Sequence, residues 1–153
     1  MKDSTWEKLE KSYKEFRAAD GKWTLRANEV PSDDEINAAM EELQCRFADD
    51  YIEFLRRYGG GMAYSLPIYG LRPVESMGWP WSVLEETHGI RSRGWPPAQG
   101  WYVISDDGYG NPIAMNEKDE VWVNEYQFGG ETKLYDSFEE FLLDRCLHDD
   151  LPE

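Results

Sequence analysis

Apolar residues recur three or four positions apart at the two ends of the chain and in short, strand-like runs between them. Trp6, Leu9, Tyr13 and Phe16 form one stripe while lysines fill the opposite face, which predicts a helix over residues 5–18. After Pro31 the same period continues through Ile36, Ala39, Met40, Leu43 and Phe47, and then through Tyr51, Ile52, Phe54, Leu55 and Tyr58. Asp49 and Asp50 fall at the join and can cap a new helix, so two helices are expected near 33–46 and 49–58. Gly59-Gly60-Gly61 suits a left-handed cap at the end of the second. Ser-x-x-Glu boxes at Ser4, Ser32, Ser82 and Ser137 mark four helix starts, the serine accepting from the third helical amide and the glutamate reaching back to the cap.

From residue 62 the period shortens. Met62 to Ile68 and Tyr69 to Val74 are rich in aromatic and branched residues and broken by Pro67, Gly70 and Pro73, the pattern of edge strands. An irregular loop at 76–81 leads to a short helix at 83–92 with Leu84 and His88 at one-turn spacing, ended by Gly94-Trp95-Pro96-Pro97. Strands at 101–105, 112–116 and 121–127 then form a meander around Asp106-Asp107-Gly108-Tyr109-Gly110 and Glu117-Lys118-Asp119-Glu120. Gly129-Gly130 turns the chain into a last strand at 133–135, and a final helix over 138–148 brings Phe138, Phe141, Leu142 and Leu147 onto the sheet. Helices, then strands, then a closing helix, without regular strand–helix alternation, define an α+β class with a mostly antiparallel sheet. No internal repeat or low-complexity tract interrupts the pattern.

A chain of 153 residues with 41% hydrophobic content has enough apolar surface for one core, so a single domain over 1–153 is expected. Residues 1–30 would be an N-terminal helix and linker, 31–148 the core, and 149–153 an acidic tail. The formal charge is −15, unevenly placed: residues 1–30 carry +1 and residues 31–153 carry −16. Phosphate binding needs a basic face, so nucleic acid is excluded as a direct ligand and a basic protein is favoured as partner. Such a field also steers a cationic partner, although net charge alone can serve solubility. Cys45 and Cys146 show no metal-ligand spacing and read as free thiols of a reducing compartment. The first residues lack an apolar core of signal-peptide length and no run could span a bilayer, so a soluble cytoplasmic protein with no membrane partner is expected.

No catalytic set emerges. His88 lies beside Glu85 and Glu86, His148 beside Asp149 and Asp150, and neither has a serine or cysteine partner by spacing. Ser105, Asp106, Asp107, Asn111, Asn116, Glu117, Asp119 and Glu120 cluster in the two meander turns. A metal-dependent hydrolase using Asp106, Asp107, Asn111 and Asp119 is one reading; turn chemistry is the other, and the EF-hand spacing is absent. Gly59-Gly60-Gly61 and Gly108-x-Gly110 lack the lysine and helix of a phosphate loop. Trp79, Trp81 and Trp95, each next to a proline, either cover a sheet edge or, beside Glu85 and Glu86, anchor a partner. The candidate partner-binding residues are therefore Trp79, Trp81, Glu85, Glu86, Asp106 and Asp107. No cofactor or metal is expected.

The run Glu35 to Gly61, with Phe47-Ala48-Asp49-Asp50-Tyr51, Glu53-Phe54-Leu55 and Tyr58-Gly59-Gly60, resembles the opening motif of the SUKH superfamily, which includes Smi/Knr-like immunity proteins. The resemblance continues in Trp101 with Ile104, Asp106 to Ile113, Val121-Trp122-Val123 and Ser137-Phe138-Glu139-Glu140-Phe141-Leu142, spanning about residues 33–143. It departs at Phe47-Ala48, where Leu-Pro is usual, at Tyr58-Gly59-Gly60 for Asn-Gly-Gly, and at Gly110-Asn111 for Gly-Asp. The resemblance implies a non-enzymatic α+β domain; many bacterial relatives neutralise polymorphic toxins, often nucleases, by binding them. It also implies an alternative, a regulatory or scaffold domain that binds an endogenous protein.

Overall fold

A computed structural model describes residues 1–19, 30–63, 66–72, 81–94, 100–125 and 130–146. Its elements run α1 (Asp3–Ala19), α2 (Asp33–Leu43), α3 (Asp49–Tyr58), β1 (Gly61–Ala63), β2 (Leu66–Ile68), α4 (Val83–Ser92), β3 (Tyr102–Asp106), β4 (Pro112–Met115), β5 (Val121–Glu125), β6 (Gly130–Tyr135) and α5 (Phe138–Phe141), followed by a π-helical turn over Leu142–Cys146. β1 and β2 form an antiparallel hairpin, and β3-β4-β5-β6 form an antiparallel meander in sequence order. This is the α+β class that the change of period predicts.

α3 shows how the helices bury themselves. Tyr51, Phe54, Leu55 and Tyr58 recur at helical spacing and are all buried, while Arg56 and Arg57 take the exposed face. Their rings meet Phe47, Tyr102 and Phe138: Tyr51 lies edge-on to Phe138 at 5.5 Å between centroids, and Phe47 is 4.6 Å from Tyr102. Two hydroxyls inside this aromatic core find backbone partners, as burial requires. Tyr51 donates to the Tyr69 carbonyl at 2.5 Å, and the Tyr102 oxygen accepts the Ala48 N–H at 2.8 Å.

The helix starts differ in their chemistry. Ser32 forms the full capping box with Glu35, whereas Ser82 and Ser137 accept from Glu85 N–H and Glu140 N–H. The Glu140 carboxylate reaches past the cap to Asp136 N–H. Ser4 is not a cap: α1 begins at Asp3, and Glu139 at the start of α5 accepts from Lys2 N–H at 3.0 Å and from the Thr5 hydroxyl at 3.2 Å. α3 starts from Ala48 with no side-chain cap, so Asp49 and Asp50 act in its first turn, where negative charge complements the helix dipole.

Of the expected strand over 69–74, residues 69–72 are described and none of them is in a strand; residues 73–74 lie outside the described residues. Tyr69 N–H donates to the Ile104 carbonyl at 2.8 Å, and residues 70–72 leave the sheet. The outer edge of β3 is nevertheless closed, because Ser105 Oγ donates to the Pro67 carbonyl and the buried Thr87 Oγ1 of α4 accepts Val103 N–H at 2.9 Å. That contact fixes the face α4 turns inward: Val83, Thr87 and Ile90 are buried, while Leu84 is only partly buried and His88 is exposed. The closing helix ends as a regular α-helix at Phe141 and widens into the π turn, with Phe138, Phe141 and Leu142 buried as the periodicity predicts. Trp79, Trp95, His148, Leu147 and the acidic tail lie outside the described residues.

Candidate functional site

The two carboxylate-rich turns of the meander lie at opposite ends of the sheet, since each joins consecutive antiparallel strands. Each folds its polar groups onto itself. Asp106 Oδ1 accepts Gly108 N–H at 2.7 Å; Asp107 Oδ1 accepts Tyr109 N–H and Asn111 N–H, and its Oδ2 accepts Asn111 Nδ2 at 2.9 Å. In the other turn Asn116 Oδ1 accepts from Lys118 N–H and Glu120 N–H, and Asn116 Nδ2 donates to Glu120. Glu120 also pairs with Lys133 of β6 at 2.9 Å, and the hydrogen bonds from Asn116 and Lys133 pull its carboxyl down to about 2. Among the described residues no group of three or more His, Cys, Asp or Glu side chains is placed to hold a metal ion.

The sequence candidates do not form one patch. Glu86 and Asp106 converge on a cleft of about 130 Å³ between α4 and the β3–β4 turn, walled by Tyr69, Ile90, Arg93, Ser105, Gly110 and Pro112. Burial pushes the Glu86 carboxyl up; Arg93 opposes that shift, and Asp106 and Glu85 add to it. Glu85, one position along the helix, is exposed, as is Trp81 at 49% just before the Ser82 cap. Asp107 spends its oxygens on its own turn. Trp79 lies outside the described residues.

Two features, one in the cleft and one beside it in sequence, escape a reading by residue type. Arg93 belongs to it through the spacing Glu86, Ile90, Arg93, one face of α4 and the signal that could have found it. Tyr109, at the tip of the adjacent turn, is 90% exposed, which turn propensity does not predict for an aromatic. His88 is a surface residue whose Nε2 lies 2.8 Å from Glu42 of α2. Cys45 is partly buried, and desolvation raises its thiol to about 11, an unreactive value.

These features define a class: an α+β domain in which an antiparallel meander and an aromatic core hold up a small cleft carrying two carboxylates between α4 and the β3–β4 turn. A family model described as SMI1 / KNR4 family (SUKH-1) matches residues 30–144, and the chain belongs to that family. Solved structures agree on the fold. The crystal structure of a protein from Pseudomonas syringae pv. tomato aligns at a TM-score of 0.66 with 19% identity, covering 92% of this chain and 100% of that one. No curated protein matches the chain. Among the described residues no helix is long and apolar enough to cross a membrane.

Proposed function

We propose that this chain is an immunity protein that neutralises a cognate toxin by binding it, with no catalysis of its own. The observation that carries the reading is the coincidence of family and charge: the family match covers residues 30–144, and residues 31–153 hold the −16 charge. A basic toxin, such as a nuclease whose active site attracts phosphate, is the complementary surface, and long-range attraction raises its rate of encounter. Trp81, just before α4, and Tyr109, in the β3–β4 turn, are exposed aromatics of the kind that anchor protein interfaces. A cytoplasmic location fits a protein that meets its toxin where the toxin's target lies.

The test is co-expression with the toxin encoded in the adjacent reading frame. Growth should be rescued, and the two proteins should co-purify as a stable complex. A toxin that kills regardless would sink the immunity reading and favour a regulatory domain for an endogenous partner.

A further inference from the structure

The cleft between α4 and the β3–β4 turn has the size of a side chain. Pockets for drug-sized ligands and cofactors run to roughly 300–1,000 Å³, whereas this one is about 130 Å³. We propose that it is a socket for one arginine side chain of the protein partner, its guanidinium held between Glu86 and Asp106. The proposal rests on the reading of the chain as a protein-binding domain and names what that partner must present.

Three observations carry it. The two carboxylates come from different elements, the first turn of a helix and the end of a strand, so they line the cleft from two elements rather than follow one another along one face. A planar guanidinium fork suits such a pair better than a point charge. The chain's own guanidinium, Arg93, lies in the cleft but is exposed, and its Nε donates to the Gly89 carbonyl at 3.2 Å. One cation against two carboxylates leaves the cleft negative. Glu86 therefore keeps a half-desolvated charge at a cost to stability, as its raised carboxyl reflects, and an entering cation offsets that cost.

The experiment is a nuclear magnetic resonance titration of the full chain with N-acetyl-arginine methylamide, with the uncharged citrulline analogue and the lysine analogue as controls. Saturable shifts are expected at the amides of Glu86, Ile90, Ser105, Asp106 and Gly110 with the arginine probe alone. Glu86→Gln and Asp106→Asn should each weaken binding by about fivefold, as expected for a partly exposed ion pair. Glu85→Gln, which removes the same charge outside the cleft, should change it by less than about twofold. Glu86→Gln should also raise the unfolding midpoint, which separates lost binding from lost folding. Equal effects of the Glu85 and Glu86 variants, or shifts spread over the acidic surface, would overturn the socket; equal binding of the lysine probe would overturn its guanidinium selectivity. Growth rescue without cleft shifts leaves the immunity reading standing and removes the socket, and the reverse result does the opposite.

Discussion

Among the described glycines, Gly70 is the one the backbone can least replace. A Cβ there would lie 1.7 Å from the Gly59 carbonyl oxygen, and one on Gly60, itself at φ +129°, would lie 2.8 Å from Gly70 N. Two backbone segments thus cross without room for a methyl group, and the Gly70 carbonyl meanwhile accepts Val83 N–H at the start of α4. Gly70→Ala should destabilise the fold by about 3 kcal/mol through forced separation of the segments. The urea midpoint should fall with an unchanged m-value; a loss below about 1 kcal/mol would mean that the crossing relaxes easily. The left-handed cap at Gly59 follows from the glycine run alone, since its φ of 76° ends α3. The role of Gly70 does not, because its constraint comes from a chain crossing ten residues away in sequence.

At the scale of elements, periodicity and caps carried most of the information, and the misreadings share one cause. The extra residues at the start of α1 and the absence of a strand over residues 69–72 go with partners far along the chain, Glu139 and Ile104. A motif states only what a side chain can do locally. Ser32→Ala, which removes the hydroxyl half of a working box and keeps the backbone N–H that donates to Glu35, should cost about 1 kcal/mol. Ser4→Ala, at an exposed position inside the first turn of α1, should stay within about 0.5 kcal/mol of the parent. Thermal unfolding of the two variants side by side decides it, and equal losses would restore Ser4 as a cap. The meander was legible for the converse reason, since its turns satisfy their own polar groups within five residues.

The molecule as a whole is a negative body, and its charge acts at a distance no single contact has. Raising ionic strength from about 0.01 M to about 1 M shortens the screening length from about 30 Å to about 3 Å. Association with a basic partner should slow by about tenfold or more over that range, while dissociation changes less. Stopped-flow measurement of both rates checks this, and a flat association rate would remove steering from the account. The amino-acid sequence by itself determined the α+β class, the helices and meander, the family-like motif order and the sign of the field, because hydrophobic period, turn chemistry and charge are local or additive properties. Only the tertiary structure decided that Glu86 and Asp106 share a cleft with Arg93, that Asp107 serves its own turn, and that the two acidic turns stand at opposite ends of the sheet. The shared cleft depends on residues thirteen to twenty positions apart, which the packing of α4 on the sheet brings together; the placement of the two turns depends on strand pairing, and the role of Asp107 on the backbone its turn adopts.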